Sequence, residues 1–203
     1  MNKLAEYLQQ HPACVSALGM GPVIAASTSL VYALTISLVF TGVLCLSAVT
    51  VSGFRKFIPH TYRLAFILPV TSMWVTVADL LLQAYAYEIR MGLDIYIPLI
   101  AMNSLVLMLL EKEALRVRPV PAAGMAGYAA AALVIITVLT GTLRELLGQG
   151  SLLPESVGLS GDIQILPAMS LFNTAAGGFI VLGCVIAIIN YCGLKLTRSV
   201  DNA

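Results

Sequence analysis

The stretch "GPVIAASTSLV", residues 21–31, heads a long apolar run, and "IPLIAMNSLVL", residues 97–107, repeats its plan later in the chain. Pro22 is followed by Ile24 and Ala25, and Pro98 by Ile100 and Ala101; each phrase then reaches Ser-Leu-Val, at Ser29 to Val31 and at Ser104 to Val106. A second pair, "ILPVTSMW" (67–74) and "ILPAMSLF" (165–172), follows in the same order. A phrase written twice in order points to an internal repeat, and the nature of the repeat depends on how many times the chain crosses a membrane.

That it crosses one follows from composition. The chain has 203 residues, 59% hydrophobic and only 10% charged, where a soluble domain carries roughly 25% charged residues. Uncharged apolar runs of about 18 residues or more are membrane spans. The run from Cys14 to Val51 would measure roughly 55 Å as one helix, against about 30 Å of hydrocarbon. It is therefore divided near Ser27-Thr28-Ser29 into a short first span, 14–28, and a full second span, 30–52. The others are expected at 64–87, at 95–110 (again short), at 122–147 and at 168–194. All are expected to be helical, since lipid offers no partner to open backbone. The polar start "MNKLAEYLQQHP" does not read as a cleaved signal peptide.

The basic residues support an even count. With six spans, Lys3, Arg55, Lys56, Arg63, Lys112, Arg116, Arg118, Lys195 and Arg198 fall on one side, and only Arg90 and Arg144 on the other. The positive-inside rule then places both termini in the cytoplasm. Spans one and four match, as do three and six, so the unit is three spans. An odd unit re-enters the membrane from the opposite face, which gives inverted repeats, residues 14–90 and 91–195 of a single domain 1–203. Short or broken helices in matching positions mark where such proteins build their central site. The fold class expected is an all-α membrane protein of six transmembrane helices, with short helices one and four.

The blocks "LGMGPVIAASTSLV", "VADLLLQAYAYEI", "GLDIYIPLIAMNSLVL" and "TLRELLGQGSL" resemble the integral membrane subunits of the Rnf electron-transport complex and of the sodium-pumping Nqr NADH:quinone oxidoreductase. The resemblance covers about residues 10–195. It implies six spans in inverted halves, and the cytoplasmic termini match the Rnf E and Nqr D type. It further implies a bacterial inner-membrane protein paired with a homologous Rnf A or Nqr E type partner of opposite orientation, flavins carried on partner subunits, and an iron or iron–sulfur centre held by cysteines from each homologue. Those cysteines belong immediately before the proline of span one and after the asparagine of span four. Here the two cofactor positions are Gly21 and Ser104. Glycine has no side chain and a serine hydroxyl is a poor ligand for a soft site, so no metal or other cofactor is expected on this chain alone.

Other residues carry weaker signals. Asp79 lies in span three about 22 Å from its cytoplasmic start; it is either an intramembrane carboxylate with a function or an acid at the outer headgroups. Gln83, one turn on, shares its face. Asp79, Gln83 and Asn103 are the ion-path candidates. Glu88 and Arg90 read as interfacial, with Tyr85, Tyr87 and Tyr96 as an aromatic belt. Arg144 and Glu145 read as an exposed pair or as a clamp on a partner subunit. Cys14, Cys45, Cys184 and Cys192 read as small buried apolar residues; His11 and His60 are assigned no metal. No nucleotide-binding glycine loop, nucleophile triad or nucleic-acid patch is present, and no residue is assigned a catalytic role. The function expected is a non-catalytic or electron-relay subunit of an ion-translocating oxidoreductase; the alternatives are a small inverted-repeat secondary transporter and a non-redox structural subunit.

Overall fold

Ser29 is a helix boundary. Its backbone is extended (φ −135°, ψ 164°) and its hydroxyl accepts a hydrogen bond from Tyr32 N, the arrangement of an N-cap. In a computed structural model of the protein, which describes residues 29–59, 62–115, 117–148 and 174–201, this cap opens helix α1, Leu30–Phe54. The division expected at residues 27–29 therefore falls where α1 begins. The first span, 14–28, and with it Gly21 and Cys14, lies outside the described residues, as do His11, His60 and the phrase at 165–172.

Helix α2 spans Arg63–Tyr85 and α6 spans Pro119–Gly148. With α1 they are long and apolar enough to cross a membrane. Pro119 starts α6, where its missing N–H costs nothing. Hydroxyl residues inside these spans return their protons to their own helix: Thr35 to the Val31 carbonyl, Thr41 to Ser37, Thr137 to Leu133 and Thr140 to Ile136. Bonded in this way, those hydroxyls present no free donor to lipid.

Among the described residues, the α1–α6 contact is the most extensive. Ala33, Ile36, Phe40, Val43, Leu44 and Ala48 of α1 are buried, as are Ala122, Ala126, Ala129, Ala130 and Leu133 of α6. The alanine face lets the two backbones approach closely, as packing between membrane helices requires. The Cys45 thiol donates across the same seam to the Ala123 carbonyl, and the Ser52 hydroxyl donates to the Val117 carbonyl, just before α6 begins. Helix α7, Ala175–Asp201, packs on α6, with Leu182 part of the same buried core and Val181 and Val185 also buried. It extends beyond the expected end at 194; its expected start at 168 lies outside the described residues.

The fourth span departs from expectation. In place of one short helix over 95–110, the chain forms α3 (Tyr87–Leu93), α4 (Tyr96–Leu99) and α5 (Ser104–Leu109), which runs into a π-helical turn, Leu110–Ala114. The segments before and after residues 94–95 are bent by 62°. Local chemistry explains the breaks. Pro98 cannot donate to the preceding turn. From Ile97 to Asn103 the chain tightens into three-residue turns: Ile100 N donates to Ile97 O, Ala101 N to Pro98 O and Asn103 N to Ile100 O. Asn103, extended at φ −67°, ψ 126°, then captures Leu105 N with its side-chain oxygen at 3.0 Å and restarts the helix. Thr71 of α2 supports the interruption, its hydroxyl lying 3.4 Å from the Ala101 carbonyl.

Gly92 of α3 is fitted against Tyr32 of α1: a Cβ there would lie 2.6 Å from the Tyr32 hydroxyl oxygen and 2.7 Å from Cζ. Gly92→Ala is expected to push the ring aside and cost about 1–3 kcal/mol, the usual size of overpacking. Denaturant unfolding in detergent measures it. Adding Tyr32→Phe, which removes the nearest atom, recovers part of the loss; no loss in the single variant would show that the ring swings away freely.

Candidate functional site

Among the described residues, three polar groups interrupt the apolar helices. The first joins α2 to α3. Asp79 takes a two-pronged contact from Arg90: Nε to Oδ1 at 3.0 Å and Nη2 to Oδ2 at 3.2 Å. The same Nη2 lies 3.1 Å from Asp94 Oδ1. Gln83 donates from Nε2 to Asp79 Oδ2 at 3.4 Å, the bond its spacing implied. The junction at Ala86 makes the group possible. Its backbone (φ −144°, ψ 54°) ends α2, its N–H closes on the Leu82 carbonyl, and its own carbonyl accepts from Arg90 N. Arg90, expected at the interface beside Glu88, is the partner of Asp79. The one available signal was the Arg90–Asp94 spacing of four, which places both on one helical face. A fork-shaped guanidinium on a carboxylate is the strongest pairing the side chains offer.

The second group lies at the interruption of the fourth span. Asn103 is buried, at 3% exposure. Ser104 opens α5 and is exposed.

The third group corrects an expectation. Arg144 and Glu145 are not an exposed pair: they are 1% and 0% exposed. Glu145 Oε2 accepts the Leu30 N–H, the first of α1, at 2.6 Å, and Arg144 Nη2 donates to the Thr174 carbonyl, at the start of α7, at 3.1 Å. One dipeptide of α6 therefore holds the beginnings of two other helices of the same chain. A carboxylate suits the first role, because the opening N–H groups of a helix lack partners and carry partial positive charge. The cysteines also differ in part from expectation: Cys45 is half-buried but Cys184 is exposed, and the side chains of Cys14 and Cys192 lie outside the described residues.

The position that the resemblance assigns to an iron ligand on the fourth span does not fit one. Ser104 presents a hydroxyl at the head of a six-residue helix, where a thiolate is needed to hold iron in a cluster.

Long apolar helices, hydroxyls turned back on their own backbone, a discontinuous span and a buried charged dipeptide define an all-helical, polytopic membrane protein. A family model described as "Rnf-Nqr subunit, membrane protein" matches residues 3–186. The chain belongs to that family. It is 32% identical over 195 residues to the E subunit of the ion-translocating oxidoreductase complex of Vibrio vulnificus, covering 92% of this chain and 85% of that protein. It is 36% identical over 186 residues to the protein of the same description in Pasteurella multocida, covering 87% and 83%. The corresponding Vibrio parahaemolyticus protein is 33% identical over 189 residues, covering 89% and 82%.

Proposed function

We propose that the protein is the E-type membrane subunit of an ion-translocating electron-transport complex, in a bacterial inner membrane, with both termini in the cytoplasm. One observation carries this reading: the chain aligns along nearly its whole length with proteins named as the E component of an ion-translocating oxidoreductase complex. Its partners are a homologous membrane subunit of opposite orientation and the subunits that carry flavin. The two halves, 14–90 and 91–195, act as inverted repeats around a central site, and the interruption at Asn103 is the kind of broken helix that such sites use. Asp79, with Gln83, lies on the path of the moving ion. Purification from native membranes tests the assignment: flavin-binding and iron–sulfur subunits are expected to co-purify, and isolation of this chain alone would overturn it.

The orientation has its own test. A cysteine at position 157, in an otherwise cysteine-free chain, is expected to react with a membrane-impermeant thiol reagent in cells whose outer membrane has been permeabilised. A cysteine at position 58 is expected to stay unlabelled. The reverse pattern would invert the topology and remove the E-type assignment.

With Gly21 and Ser104 in the two ligand positions, this subunit contributes no thiolate to an iron centre. Two cysteines from a homologue are half of the four thiolates that iron–sulfur clusters take. The protein purified alone is expected to contain no stoichiometric iron by elemental analysis. Iron retained after replacement of Cys14, Cys45, Cys184 and Cys192 would show that its ligands are not thiolates; iron lost only on replacement of Cys14 would place the ligand two turns earlier.

A further inference from the structure

Helix α2 has three faces. Ile67, Thr71 and Val75 are buried against the rest of the protein, and Ala78 and Leu82 continue that seam. Met73, Val77, Leu80 and Leu81 are exposed at 40–58% and form an apolar surface suited to lipid. Between the two lies a polar stripe. Ser72, Thr76, Asp79 and Gln83 follow one another at spacings of four, three and four, so they share one side of the helix. At about 100° per residue they lie roughly 110° around from the buried seam, over about 16 Å of helix. Ser72, Thr76 and Gln83 are exposed and Asp79 is partly so.

A polar stripe of this kind is costly against hydrocarbon. Its chemistry states what it lacks. The Ser72 hydroxyl donates to the Leu68 carbonyl at 2.8 Å and the Thr76 hydroxyl to the Ser72 carbonyl at 2.9 Å. Their protons are committed, and what they offer outward is lone pairs. At the end of the stripe, Asp79 and Asp94 share the one guanidinium of Arg90, which leaves the three side chains with one net negative charge. Asp94 is open, its side chain 60% exposed. The helix is also the least covered of the three long spans α1, α2 and α6: 17% of its most apolar 18-residue window is buried, against 50% for α1 and 44% for α6.

We infer that this stripe is the seat of a transmembrane helix from a neighbouring subunit of the complex, one that presents hydrogen-bond donors to Ser72 and Thr76 and a lysine or arginine to Asp94, the open carboxylate at its acidic end. Interhelical hydrogen bonds from small polar residues hold membrane helices together, and a cation completing the acidic end fixes which partner docks and in what register. The inference rests on the reading of the chain as a subunit of a complex.

The test uses the whole complex in native membranes, with a photoreactive benzophenone amino acid at position 76 and, in a control, at position 80 on the apolar face. Irradiation is expected to give an adduct between position 76 and a spanning segment of another subunit that carries a lysine or arginine near one end, mapped by mass spectrometry, and no protein adduct from position 80. Asp94→Lys is expected to lower the yield of the position-76 adduct by roughly tenfold, from like-charge repulsion, and Glu88→Lys to leave it unchanged. An adduct to a second copy of this chain, an intramolecular adduct, or reaction with lipid alone would overturn the inference. If the other subunits co-purify and position 76 captures none of them, only the interface is wrong; if nothing co-purifies, the subunit assignment itself fails.

Discussion

Glu145→Ala is expected to destabilise the protein by about 2–4 kcal/mol, the cost of orphaning a buried helix N–H and opening a cavity. The carboxylate is fully buried and takes the first N–H of α1 at 2.6 Å. Alanine leaves that N–H without its acceptor, about 1–3 kcal/mol by itself, together with a cavity where the side chain stood. It also removes the negative charge that complements the positive end of a 25-residue helix. Glu145→Gln keeps an acceptor of nearly the same shape and loses only the charge-assisted part of the bond, so its cost is expected to be about 1–2 kcal/mol. Unfolding by a denaturing detergent, followed through the single tryptophan, reads both. Trp74 suits the purpose because its indole N–H reaches Thr50 of α1 at 3.4 Å and so reports on the α1–α2 contact. Wild-type stability in Glu145→Ala would mean that α1 is held without this contact.

Asp79→Asn is expected to reduce coupled ion transport strongly, with the complex still assembled, because a carboxylate on an ion's route acts through its charge. Asparagine preserves size and can still accept from Arg90 and Gln83, but it removes the charge. Because Arg90 can still donate to the asparagine oxygen, α2 and α3 remain joined, and Arg90 keeps Asp94, on its own side of the junction, as a charged partner at 3.1 Å. Sodium or proton uptake into inverted vesicles, beside the rate of electron transfer, separates the outcomes. Loss of transport with electron transfer retained places Asp79 on the ion's route. Unchanged transport returns it to the role of an anchor for Arg90. Glu88→Gln, on the exposed face of α3, is expected to change neither rate.

Several features of this protein were legible in its sequence because they depend on neighbours along the chain. Long apolar runs with so few charges have one physical outcome in water and lipid, and hydrogen bonds within each segment then make them helices. The boundary at Ser29 is local capping chemistry, and the Asp79–Gln83 bond is a matter of helical pitch. The likeness of "VADLLLQAYAYEI" and "TLRELLGQGSL" to a family is likewise a property of the string.

Tertiary structure decided what depends on bends and on distant segments. Arg90 reaches Asp79, eleven residues back, because the chain breaks at Ala86, and no periodic pattern announces where a helix that ends there will turn. The fourth span is discontinuous because Pro98, the tight turns after it, Asn103 and Thr71 of another helix act together; Pro98 by itself is equally compatible with the first turn of an unbroken helix. The sharpest case is Arg144-Glu145. Two adjacent charges near the end of a span look exposed, since burying them alone would be prohibitive. They are buried because the first N–H of α1 and the carbonyl of Thr174, 115 and 30 residues away in the chain, arrive to meet them. That compensation exists only once the helices have packed.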